Sequence, residues 1–249
     1  MRHFSRQTLG VTLTVVVIVA FFIPQAVADA SLSALPSVGA SQVFSATEHY
    51  SMNGMSMPPG PLPTLKDGEQ MPHDQSGTLT VTRAAADSVH IAASDGLDTF
   101  DQTPQVDAQG SIAPPKPQYT FVELLSNVAA VLAAAPAPLQ KDATWSVKLT
   151  SPSWMSSGRL PLPSQISSVP AAFKVVSVTG NSVSVHGDGK FENNIQTIRG
   201  PATSGWSASI DCKFMSGRIH MCSKTTTLGA AIPGAQFIKM SDVVTLTAK

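Results

Sequence analysis

Residues 206–214 read Trp-Ser-Ala-Ser-Ile-Asp-Cys-Lys-Phe. Trp206, Ala208, Ile210, Cys212 and Phe214 are apolar, and Ser207, Ser209, Asp211 and Lys213 between them are polar. Successive side chains of an extended strand point to opposite faces, so this stretch predicts a strand with one dry face and one wet face. The same alternation recurs. Leu79 and Val81 sit among Thr78, Thr80 and Thr82. Val89, Ile91 and Ala93 follow the same rhythm, as do Trp145, Val147 and Leu149, and Val183 and Val185. Turn-forming pairs punctuate these runs: Asp95-Gly96, Gly180-Asn181, Asp188-Gly189 and Ser216-Gly217. The reading is antiparallel β with one solvated face.

One segment has a helical period. Phe121, Leu124, Leu125, Val128, Leu132 and Ala135 form an apolar stripe, and Pro136 closes it. This predicts a helix over residues 121–135 lying on the sheet. Thr120 and Glu123 have the spacing of a capping box, with Tyr119 and Leu124 as its hydrophobic staple.

The chain also echoes itself. Met55-Ser56 and Pro61-Leu62-Pro63 return as Met155-Ser156 and Pro161-Leu162-Pro163, each after a strand-like run and before an expected hairpin (residues 78–96 and 173–189). The expected fold is mainly β, of the α+β class. It is a curved antiparallel sheet or half-barrel built from two similar halves, 42–142 and 143–249, with one covering helix. Neither half would bury its sheet face alone.

Upstream, Arg2, His3 and Arg6 precede a 15-residue apolar run from Leu9 to Ile23, then Pro24 and Gln-Ala-Val-Ala-Asp-Ala. This is the pattern of a secretory signal peptide over residues 1–28, cleaved after Ala28 or Ala30. A spanning helix needs about 20 residues, so no stable membrane span is expected after cleavage. Residues 29–41 are small and polar and read as a flexible leader, leaving 42–249 as a single β-rich domain. The expected location is a bacterial periplasm or the cell exterior.

Composition narrows the function classes. The chain has 249 residues, 16 Lys and Arg against 16 Asp and Glu, and 13% charged residues, about half of the roughly 25% usual in soluble domains. Loss of residues 1–28 removes Arg2 and Arg6, leaving 14 basic and 16 acidic side chains, a formal charge of −2. A neutral chain has no electrostatic footprint for nucleic acid. Metalloprotease, nucleophile-elbow and phosphate-loop motifs are missing, so a non-enzymatic protein is expected, with an unrecognised hydrolase the minor reading.

Cys212 and Cys222 flank Ser216-Gly217 in one expected hairpin, and export favours a disulfide over two free thiols. Direct opposition of the pair requires Met215 to face Ile219 around a three-residue loop. The apolar pattern of Ile219 and Met221 disagrees with that register, and a bulge near Gly217 would reconcile them.

Two ligand readings remain open. A concave apolar sheet face would hold a lipid or another apolar small molecule. Alternatively His49, Met52, Met55 and Met57 supply soft ligands suited to copper, in a spacing that resembles methionine-rich segments of periplasmic copper-handling proteins. The plainer view of that cluster is an exposed Met-rich loop. His90 and His186 occupy polar-face positions of the two hairpins, and Asp95, Asp98, Asp101 and Asp107 lack the register of a calcium loop.

The signal peptide, the order of strand, Pro-rich linker and hairpin, and the Trp-bearing strand Ala143-Thr144-Trp145-Ser146-Val147 together resemble secreted β-rich envelope proteins of Gram-negative bacteria. That resemblance implies no catalytic residue.

Overall fold

A computed structural model describes residues 32–53, 55–56, 73–96, 99–113, 119–151, 168–197, 200–231 and 238–249. The expected signal peptide and both Pro-Leu-Pro linkers lie outside the described residues. The strands are β1 (Ser41–Met52), β2 (Met55–Ser56), β3 (Gln75–Ala85), β4 (Ser88–Ser94), β5 (Thr99–Gln102), β6 (Thr144–Thr150), β7 (Ser168–Thr179), β8 (Ser182–Thr197), β9 (Gly200–Met215), β10 (Arg218–Ala231) and β11 (Ile238–Ala248). The helix α1 spans Thr120–Ala133. It is not long and apolar enough to cross a membrane.

The strands form one antiparallel sheet in the order β5-β4-β3-β1-β11-β10-β9-β8-β7-β6, with the short β2 paired to β1. The outer strands β5 and β6 do not pair with each other, so the sheet is an open half-barrel. The two expected halves are visible in its connectivity. In each, a strand pairs with the strand after its linker (β1 with β3, β6 with β7), and a hairpin follows. The halves join where β1 pairs with β11.

The sheet curves around α1. The apolar side chains Phe121, Val122, Leu124, Leu125, Val128, Ala129 and Val131 are all buried, more of the helix surface than a flat sheet would cover. The helix reaches across the sheet to β6, where the Trp145 indole N–H donates to the Val131 carbonyl at 2.9 Å. Trp145 stacks on Phe173 with ring centroids 5.9 Å apart. Phe173 in turn lies flat over Gly187, its register partner on β8. A Cβ there would come within 2.2 Å of the ring.

That contact explains a difference from the sequence reading. Asp188-Gly189 was expected to close a hairpin, but β8 runs straight through it to Thr197. Gly187 and Gly189 are both buried on the concave side, where neighbouring atoms leave no room for a Cβ. They permit close approach and do not turn the chain.

Three further expectations change. Residues 32–41 are not a free leader: Ala34 and Leu35 are buried in the core, and the Ser33 N–H donates to the Gly217 carbonyl at 2.9 Å. The capping box does not form. Tyr119 is the N-cap without a side-chain bond, and Thr120 and Glu123 reach across to the sheet. The hydrophobic staple is replaced by Tyr119 packing edge-on against Phe121.

The cysteines are joined, with Cys212 and Cys222 directly opposed and S–S 2.07 Å. Met215 faces Arg218 across the two-residue turn Ser216-Gly217, both residues at positive φ. The register then shifts between Ile219 and Met221. The bulge therefore falls at His220 and puts Ile219 and Cys222 on the buried face while Met221 is exposed.

Replacing Gly187 with Val is expected to lower stability by about 1–3 kcal/mol, the usual cost of overpacking a filled core. Urea denaturation measures it, and an unchanged midpoint would mean that the Phe173 ring is free to move away.

Candidate functional site

Four polar or charged side chains break the apolar phase of the central strands. On β1, Glu48 shares the buried phase of Phe44, Ala46 and Tyr50. On β10, Lys224 and Thr226 share it with Cys222 and Leu228. On β11, Asp242 shares it with Met240, Val244 and Leu246. Register aligns these residues: Tyr50 faces Asp242, which faces Thr226; Glu48 faces Val244, which faces Lys224. The result is a buried polar patch beneath the first turns of α1.

The helix docks on this patch through two contacts. The Lys224 Nζ meets Glu123 Oε1 at 2.5 Å, with both side chains about 95% shielded (4% and 5% exposed). Within α1 itself, Asn127 Nδ2 donates to the Glu123 carbonyl at 2.9 Å. The Thr120 hydroxyl donates to Glu48 Oε2 at 2.7 Å, and Gln75 Nε2 donates to the same oxygen. Glu48 is thereby tied to α1 and β3, and it also bonds the Asp242 side chain on β11.

Burial, and next the negative charge of Asp242, raise the Glu48 carboxyl well above the ordinary carboxylic range; the bonds from Gln75 and Thr120 pull the other way. Two adjacent carboxyls in a poorly solvated place hold a proton between them because both cannot ionise cheaply. Glu48 Oε1 meets no donor from the chain. The Tyr50 hydroxyl is pushed up to about 12 by burial and by Asp242.

Beyond this patch the concave face is mostly apolar, with Ser204 buried between Ala202 and Trp206. Trp206, Leu228 and Met240 are register partners on β9, β10 and β11, and Ala202 and Ala230 continue the same buried phase. Trp206 is 4% exposed, yet its Nε1–H has no acceptor from the chain.

The copper candidates do not gather into one site. His49 lies on the wet phase of β1 and contacts Asp74 at 2.9 Å with 58% of its side chain exposed. Met52 is on the opposite, core-packed phase. Met55 opposes Met52 in backbone register, as Met240 does on the other side. Met57 lies outside the described residues. Among the described residues, no three His, Cys, Asp or Glu side chains converge as a metal site. His90 pairs with Asp101 at 2.8 Å, and His186 lies between Asp211 at 2.7 Å and Asp188 at 3.6 Å. Both are on the convex face, with five strands between β4 and β8. Asp107 accepts from the backbone of Gln109 and Ser111 and so closes its own turn. A shallow trough of about 210 Å³ also crosses the convex face over Gly205 and its partner Gly229.

Sequence reasoning missed Glu48, Glu123, Lys224, Asp242 and the unpaired Trp206 N–H. The first four carried a signal: charge at a position whose strand or helix phase is otherwise apolar. Trp206 carried none, because an indole at a core position is ordinary.

No family model and no curated protein matches the chain. Among solved structures it is similar to lipovitellin, in a structure concerned with lipid–protein interactions, at 10% identity and a TM-score of 0.49. The match covers 86% of this chain and 25% of that one, so this chain spans about a quarter of the lipovitellin chain.

Two outcomes test the patch. Lys224→Met leaves Glu123 charged and buried, and is expected to cost about 3–5 kcal/mol, whereas Lys224→Met with Glu123→Leu recovers most of the loss. Chemical denaturation of both variants checks this. Glu48 is neutral in the folded chain and ionised in the unfolded chain between pH 4.5 and its raised value. Its contribution is therefore fully present below pH 4.5 and is lost as pH rises through the folded value. The stability difference between wild type and Glu48→Gln is expected to move in favour of Glu48→Gln as pH rises across that window. A difference constant from pH 4 to 9 would refute the shared proton.

Proposed function

We propose that this is an exported, non-catalytic protein that holds an apolar ligand, a lipid or similar molecule, on the concave face of its open sheet. The signal-peptide pattern of residues 1–28 and the disulfide support export, because disulfides persist in oxidising compartments. The observation that carries the ligand reading is the extent of the apolar face. The helix crosses the sheet along the row of Lys224 and Trp145, to which Glu123 and Val131 bind. From Ile210 in that row, β9 runs on to Ala202, about 27 Å at roughly 3.4 Å per residue. A helix is only about 10 Å across. The tract formed by Ala202, Trp206, Leu228, Ala230 and Met240, with Ser204 among them, thus continues the buried face beyond the width of α1.

One observation favours a second reading. Met52 and Met240 are register partners on β1 and β11, and thioethers suit Cu(I). His49 takes no part in that version of the site.

Native mass spectrometry of the mature, disulfide-bonded chain separates the two. A co-purifying apolar mass, lost in Leu228→Asp, is the expected result. Stoichiometric Cu(I) that disappears in Met52→Leu and Met240→Leu, with no apolar mass, would replace the ligand reading with the copper one.

A further inference from the structure

We propose that the end of the half-barrel where β7 turns into β8 and β9 into β10 docks on an anionic lipid surface, through the exposed apolar side chains Val176, Met215 and Met221 and the cations Lys213 and Arg218. This surface lies at the opposite end of β9 and β10 from the Trp206 tract, so it is independent of the ligand reading. Among the described residues, Val38, Val43, Val176, Met215 and Met221 are large apolar side chains at least 37% exposed. All five gather at this one end. Met215 and Arg218 face each other across the Ser216-Gly217 turn, and Ser182 of the neighbouring hairpin pairs with Met215. One row of the convex face runs from Ser184 through Lys213, Met221 and Thr247 to Ser45. Val176 lies at the bulge beside Ser184, and Val43 is two residues from Ser45 on β1. Val38 belongs to the segment that crosses this end from Ser33, bridged to Arg218, to Gly39, whose N–H donates to the Arg83 carbonyl.

Two of these side chains face water because of bulges. The register shifts between Val175 and Ser177, and again between Ile219 and Met221. Val175 and Ile219 stay buried while Val176 and Met221 turn outward. A bulge re-aims a side chain, and here both re-aim an apolar one into solvent. The charges differ from those further along the same face. There Lys174 meets Asp142 at 2.7 Å and Lys190 meets Glu192 at 2.6 Å. Lys213 and Arg218 are exposed, and among the described residues neither meets a carboxylate. Asp211, the next convex position on β9, is held by His186 at 2.7 Å. Asp87 lies in the turn between β3 and β4, with β1, β11 and β10 between it and β9. Apolar side chains beside unneutralised cations complement a surface with negative headgroups over hydrocarbon. A protein partner would favour an aromatic or arginine anchor seated in a pocket. This end instead spreads valines and thioethers over the five strand spacings from β7 to β1, about 24 Å, which a fluid surface accommodates.

The test is co-sedimentation of the mature, disulfide-bonded chain with vesicles of phosphatidylcholine alone or with about one-third phosphatidylglycerol. Binding is expected to the anionic vesicles only, and to weaken between about 0.1 M and about 1 M salt as the Debye length shrinks. Lys213→Gln with Arg218→Gln is expected to weaken it about thirtyfold, about fivefold for each cation. Lys148→Gln with Lys239→Gln removes the same charge away from this end, and is expected to leave binding within about twofold. Met215→Ser with Met221→Ser is expected to weaken it at least about tenfold. All six side chains are exposed, and an unchanged thermal midpoint shows that each variant is folded. Equal weakening by the two cation pairs would make the attraction one of net charge and overturn the assignment to this end. Failure to bind anionic vesicles overturns it outright. A concentration-dependent dimer that is lost in Met215→Ser with Met221→Ser would make this face a contact between copies instead. None of these results touches the ligand reading, which the co-purifying mass tests on its own.

Discussion

A sheet whose edges never meet must cover its concave face some other way, and in this protein α1 is the cover that determines the rest. The helix is fixed less by its apolar stripe, which would tolerate sliding, than by two polar contacts of defined geometry. Glu123 meets Lys224, and Thr120 meets Glu48. Hydrophobic contact is non-directional, whereas a buried ion pair tolerates little displacement before each charge is left alone. The helix therefore has one axial position, and the curvature of the sheet follows it from β4 round to β6.

That arrangement concentrates polar groups where a small β domain would ordinarily have none. Glu48, Asp242, Glu123 and Lys224 are each at most 4% exposed. Such a patch adds little net stability over well-packed apolar residues. Its value is in specifying how helix and sheet meet, and in setting a boundary within the concave face. On one side of the patch lies the core under α1, with the disulfide and Phe214. On the other lies the tract around Trp206, beyond the width of the helix. The proposed ligand site is the consequence of that division.

The convex face and the edges follow a different logic. Serines and threonines dominate the wet phase of β3, β10 and β11, with His–Asp pairs spaced among them. The two edge strands are short, four residues in β5 and seven in β6, which limits the unpaired backbone offered to a second chain. The convex side carries a shallow trough where two glycines face each other.

Period alone determined that this chain makes antiparallel strands and one helix. Alternation placed β3, β4, β6 and β9, and the 3.6-residue stripe placed α1 to within two residues at its C-terminal end. Repetition pointed to two similar halves, and cysteine parity together with the signal-peptide pattern pointed to the disulfide. These are local or statistical properties of the sequence, so they survive without a fold. The tertiary structure decided everything that depends on which rows align. Only register brings Glu48, Asp242 and Lys224 beneath Glu123, because their sequence separations exceed any local pattern. Gly187 and Gly189 looked like a turn until the ring of Phe173 supplied the reason for their missing Cβ atoms. His49 and Met52, three residues apart, parted to opposite faces because a strand turns its side chains over at every step. Whether the Trp206 N–H finds an acceptor is likewise a property of the packed neighbourhood, and no reading of residues in a line contains it.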